Sequence, residues 1–157
     1  MSNQDFLSRV EACRREITSL SSNISQIASL HQRAISSPDS SSSAALENLV
    51  SQTQILNTRI RDQIKYLETD AARSGGAVTK DSQIRSLKNQ FKNQLEQYQN
   101  EEQTYRKRYQ EQIARQFRIV NPNATEAEVQ EAATANWGDE GVFQTAVSIY
   151  YTRLALH

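Results

Sequence analysis

Apolar residues recur at steps of three and four from the start of the chain: Phe6, Val10, Cys13, Ile17, Leu20, Ile24 and Ile27, then His31 and Ala34. At about 100 degrees per residue these positions fall on one narrow face, which predicts a helix over about 3–36. Ser36-Ser37-Pro38-Asp39 and the serines that follow compete with backbone pairing, and the proline cannot continue the ladder, so a loop is expected over about 36–43. A second stripe, Leu46, Leu49, Thr53, Leu56, Ile60, Ile64, Leu67 and Ala71, predicts a helix over about 44–73 that stops at Ser74-Gly75-Gly76. The third runs Ile84, Leu87, Phe91, Leu95, Tyr98, Glu102, Tyr105, Tyr109, Ile113, Phe117 and Val120, for a helix over about 80–120. Short loops place such neighbours side by side, and narrow stripes suit small-angle packing. The expected fold is all-α: an antiparallel up-down three-helix bundle over residues 1–120.

Asn121-Pro122 closes the third helix, because the residue before proline is pushed out of the α region. Three residues later Thr125 can accept from the Glu128 backbone while the Glu128 side chain reaches back, the pattern of a capping box. A short helix over about 126–136 is expected, ended by Asn136-Trp137-Gly138-Asp139, and residues 121–157 read as a linker with a partly apolar tail.

Composition narrows the chemistry. Lys and Arg together number 18, as do Asp and Glu, so no net field draws the chain to nucleic acid. No apolar run reaches the roughly 18 residues of a membrane span, and MSNQDFLSRV lacks the basic and then apolar pattern of a secretory signal. The chain is therefore expected to be soluble and cytosolic, without inserting into a membrane itself. Asn23-Ile24-Ser25 and Asn123-Ala124-Thr125 match the glycosylation pattern, which requires secretion, and are read as chance. One cysteine and two histidines cannot build a disulfide or a metal cluster. Cys13 and His31, the available nucleophile and base, stand eighteen residues apart on one helix, about 27 Å at 1.5 Å per residue. No Gly-rich phosphate loop is present. Neither catalytic residues, cofactor nor metal are expected; Cys13 reads as a small core residue and His31 as a polar end of its stripe.

Glu102 occupies a stripe position where leucine would be expected. Two readings stay open: a wet layer with the carboxylate snorkelling or paired with an arginine, and a polar layer that fixes register. Arg106, Lys107, Arg108, Arg115 and Arg118 make a basic run, but Glu101, Glu102 and Glu111 lie within a turn or two, so a solvated face laced with ion pairs is expected. On the second helix Ile55, Arg59 and Tyr66 lie about 110 to 130 degrees away from the core direction. They mark a weaker second face, a candidate partner-helix groove placed between helices two and three.

The stretch "FKNQLEQYQNEEQTYRKRYQEQIARQFRIVNPNATEAEV", followed by "VFQTAV", resembles the end of the regulatory three-helix (Habc) domain of plasma-membrane syntaxins, most closely the fungal Sso type. The likeness covers residues 3 to about 147. Its specific features are Tyr105-Arg106 with Arg108, Arg115-Gln116, Ile119-Val120-Asn121-Pro122 and Thr125 to Val129; the first two helices match in pattern.

The resemblance implies a domain upstream of a SNARE helix and a membrane anchor, on the cytoplasmic face of the plasma membrane. Such a domain folds back onto its own SNARE helix, docks an SM-family (Sec/Munc) regulator and meets other SNAREs through the parent protein. It also implies that an apolar-acidic pair on the linker helps to hold the closed form, and this pair falls on Val129-Gln130, without its acidic half. "SIYYTRLALH" departs from the expected polar linker, and the N-terminal peptide that many members use to engage SM proteins is not seen. The alternative reading is an architectural spectrin-like or tethering module with the same stripes and no switching.

Overall fold

The computed structural model describes residues 1–36, 40–75 and 77–134, with the side chains of 40–42 left out. Among these residues the chain forms four helices and no strand: α1 Asn3–Ser36, α2 Ser40–Arg73, α3 Val78–Val120 and α4 Glu126–Thr134. The expected stops at Gly76 and at Asn136-Trp137-Gly138-Asp139, and the tail beyond, lie outside the described residues.

Each boundary has a local cause. Ser2 Oγ accepts the Asp5 amide at 3.1 Å, which satisfies one of the first-turn donors of α1. α2 begins at Ser40, four residues ahead of the expected start. Serine is tolerated in a first turn, where amides have no intrahelical acceptor, so the serine run joins the helix instead of the loop. Past the end of α2 Gly75 takes φ +78, the left-handed conformation that closes a helix and suits glycine. At the other end of α3 the Asn121 amide donates to Phe117 O at 2.8 Å, and the chain turns. The Glu128 amide then donates to Thr125 Oγ1 at 3.2 Å and starts α4.

Side-chain pairs set the register. Arg9 meets Tyr66, Glu16 meets Arg59 and Asn23 meets Thr53, so seven residues up α1 match seven or six down α2, an antiparallel pairing. Against α3 the order is parallel: Arg14 donates to Gln83 Oε1 at 2.6 Å, His31 faces Glu101, and Gln112 Nε2 donates to Ile35 O at 2.9 Å. α1 is the shared wall, packing along most of both partners, whereas α2 and α3 touch along less of their length.

The core follows the predicted stripes, with Phe6, Leu20, Ile60, Leu67, Phe91, Leu95 and Tyr98 among its largest buried side chains. Burying each is worth roughly 1.5–3 kcal/mol. One stripe position departs from expectation: Val120 is 76% exposed, with Ile119 beside it. Gln112 is level with the end of α1, so residues 113–120 project about 12 Å beyond it, and among the described residues α4 is what covers them. At the opposite end Lys80, which no apolar stripe predicts, is buried. Its ammonium donates to Asp70 at 3.0 Å and to Ser74 at 2.9 Å over the Phe6 ring, tying α1, α2 and α3 together.

Candidate functional site

The candidate sites are helix-lined surfaces. Among the described residues no group of three His, Cys, Asp or Glu is placed to hold a metal ion, and no helix is long and apolar enough to cross a membrane. Cys13 is fully buried, and burial, reinforced by Glu16, pushes its thiol up to about 11, so it packs as a small apolar side chain.

Ile55, Arg59 and Tyr66 do share one surface, as the sequence indicates, but the other wall is α1. A groove of about 780 Å³ runs between α1 and α2, with Arg9 and Ala12 facing Ile55, Arg59 and Tyr66. The expected location between helices two and three is thereby corrected. An angle of 110 to 130 degrees from the core can fall on either flank of α2, and periodicity does not give its sign. Ile55 is 62% and Tyr66 51% exposed, and the Arg9 guanidinium lies 4.7 Å above the Tyr66 ring. Arg9 and Ala12 were missed because neither belongs to the core stripe of α1. Their spacing from Glu16, seven and four residues, was the available signal.

The α2–α3 seam mixes the apolar residues Ala71, Ala72 and Ile84 with charged ones. Glu68 and Lys88 pair across it, beside Ala72 and Arg85. Asn57, on α2, is buried, with no partner for Oδ1 among the described residues.

At the α3–α4 junction Val129, 1% exposed, and Ala133 pack on Ala114, with Ile113, Phe117 and Ala124 around them. Gln130, the other half of the expected closure pair, lies beside Lys107, Gln110 and Arg115, and its Nε2 donates to Glu126 Oε1 at 3.3 Å. The acid on α4 that meets a base is Glu126: Arg118 Nη2 donates to both of its oxygens, at 3.0 and 3.1 Å. The Gln130 amide and Arg118 together hold the Glu126 carboxyl below the usual range. As α4 advances from Glu126 to Gln130, its neighbours on α3 recede from Arg118 to Lys107, so the two run antiparallel. Among the described residues α4 packs on α3 and touches neither α1 nor α2.

Glu102 is 3% exposed, so its carboxylate does not snorkel to solvent. Across the α1–α3 interface His31 Nε2 lies 3.8 Å from its carboxylate, His31 Nδ1 lies 3.0 Å from Glu101, and the imidazole stacks on Tyr105 at 3.8 Å. The cluster ties His31 of α1 to one turn of α3. Burial depresses the His31 pKa, outweighing the neighbouring Glu101 carboxylate.

The sequence model of the syntaxin family matches residues 2–147, nearly the whole chain. The chain belongs to the syntaxin family. Among curated proteins this syntaxin is 29% identical over 154 residues to the syntaxin-like protein psy1 of Schizosaccharomyces pombe, covering 94% of this chain and 54% of psy1. It is 26% identical over 146 residues to the protein SSO1 of Saccharomyces cerevisiae, covering 90% and 49%. Over 105 residues it is 31% identical to the transport protein SSO2 of Candida albicans, covering 67% and 35%. The syntaxin chain thus spans about half the length of the first two relatives. Its fold matches a chain of the Unc18-syntaxin 1 complex from Monosiga brevicollis with a TM-score of 0.74 at 20% identity, covering 99% of this chain and 77% of that one.

Proposed function

We propose that this chain is the regulatory part of a syntaxin-like t-SNARE at the cytoplasmic face of the plasma membrane, controlling vesicle fusion. It acts by holding its own SNARE helix and by docking an SM-family protein, without catalysis. Residues 1–120 are the platform and 121–157 the linker to the SNARE segment, through which the parent protein meets other SNAREs.

The observation that carries this reading is the course of α4. Val129 clamps a short helix onto the projecting end of α3, which turns the chain back toward a bundle whose thinnest interface is the one between α2 and α3. An amphipathic helix following that course would complete four helices. While held there it cannot pair with other SNAREs, and a closed-to-open gap of about 1.4 kcal/mol leaves roughly one molecule in ten open. Gln130 contributes to closure indirectly, by positioning Glu126 toward Arg118. The SM-protein part of the reading is supported by likeness to a syntaxin solved in an Unc18 complex.

The test is a titration of the labelled 157-residue chain with the SNARE segment of the parent protein, followed by NMR. Shifts concentrated at Ala72, Arg85, Lys88 and α4 are expected. A saturating titration that leaves these residues unmoved would refute the proposal.

A further inference from the structure

The apolar groove between α1 and α2 lies on a different side of the rod from the α2–α3 seam, so a SNARE helix held in that seam, as proposed above, leaves the groove open. Its floor and walls combine Ala12, Ile55, Leu67 and Tyr66 with two arginines, and tyrosine and arginine are the residues that most often dominate protein interfaces. Ile55 and Tyr66 stand three turns apart, about 16 Å, which is a span for a partner helix laid along the furrow between two helices.

The charges say which helix. Among the described residues Arg9 has no carboxylate partner and rests on the Tyr66 ring. Arg59 reaches Glu16 only at 3.5 Å and is more than half exposed. The groove's own acid, Asp62, is engaged by its neighbour Arg61 at 3.3 Å. Arg9, level with Tyr66, is the groove cation without a carboxylate partner among the described residues. Arg59, seven residues or two turns along α2, about 10 Å, is held by Glu16 at one nitrogen and keeps more than half of its side chain open to a second carboxylate. Glu16 and Asp62 interrupt the rim and would repel a continuous anionic surface such as a lipid leaflet, yet leave room for single carboxylates at those points.

We propose that the α1–α2 groove is a second docking surface, and that its occupant is an amphipathic helix of a separate protein carrying two carboxylates seven residues apart beside an apolar stripe. The carboxylates meet Arg9 and Arg59, and the stripe covers Ile55 and Tyr66.

The probe is a 21-residue helical peptide with a leucine stripe and a glutamate pair at i and i+7, compared with its lysine-pair twin, each titrated into the labelled 157-residue chain. The glutamate peptide is expected to bind at least tenfold tighter at low salt, with shifts at Arg9, Ala12, Ile55 and Tyr66. Ile55→Glu should weaken it tenfold or more, and Arg9→Glu should remove the preference for glutamate. Both positions are exposed, and unchanged far-ultraviolet circular dichroism confirms that the variants fold. Equal affinity for the two peptides, no binding of either, or shifts confined to the α2–α3 seam would overturn the proposal. So would a concentration-dependent dimer in sedimentation that Ile55→Glu abolishes, since the occupant would then be a second copy.

Discussion

Between Phe6 and Tyr105 the described residues bury nineteen apolar side chains in one continuous cluster, whereas the α3–α4 junction buries three, two of them alanines. Both are helix stripes meeting, yet the first can hold a rod together without help and the second amounts to little more than one valine. At roughly 0.8 kcal/mol per buried methylene, the junction is worth a few kcal/mol at most. That is the range in which a helix opens locally while the core stays intact. The lesson is one of division: a platform that must not move, and a clasp that is weak by construction.

The comparison breaks first if the core is not the source of stability. Phe91→Ala should cost about 3–5 kcal/mol and lower the urea midpoint of the whole chain. A loss confined to one helix, with the rest unfolding as before, would show that the bundle is not one cooperative unit.

Val129→Ala sharpens the other side. Removing two methyl-sized groups should cost about 1.6 kcal/mol. The effect should appear as faster amide exchange over 126–134, with the main unfolding transition unmoved. Gly75→Ala should cost about 1–2 kcal/mol globally, since no atom lies near the added methyl and the strain comes from φ alone.

A gentler lever is pH. Because burial lowers the folded pKa of His31 below its ordinary value near 6.5, the unfolded chain takes up that proton first. Stability is therefore full above about 6.5 and declines as pH falls below it. Glu101, Glu102, Tyr105 and Arg108 face the ring from α3 and remain in a His31→Gln variant. Denaturant titrations between pH 7.5 and 5.5 should show a flatter profile for that variant. The smallest effect belongs to Arg118→Ala, which should speed amide exchange over 126–134 less than Val129→Ala does, because the Glu126 pair is exposed.

Most of the bundle was legible because a stripe at threes and fours has one interpretation once its length exceeds a few turns. Ala114 and Lys80 were not. An alanine carries too little apolar surface to mark a stripe, and a lysine is buried here because Asp70 of α2 and Ser74 of the turn after it converge on its ammonium. The groove was half legible: Ile55 and Tyr66 announced an exposed apolar face, but the choice between two flanks depends on which neighbour sits on which side, a property of three helices together. The junction was legible from Thr125 and Pro122, whose chemistry is local. Its salt bridge was not, since Arg118 and Glu126 meet only after the chain has turned.

The hairpin formed by α3 and α4 also sets how the molecule responds to load. Tension applied along the axis of the rod to the chain beyond Thr134 would peel α4 from its far end, releasing Ala133 before Val129 and Val129 before the Arg118 pair. Contacts broken one after another yield at low force, as an opening zipper does, while the interlocked rod behind them bears the same pull all at once.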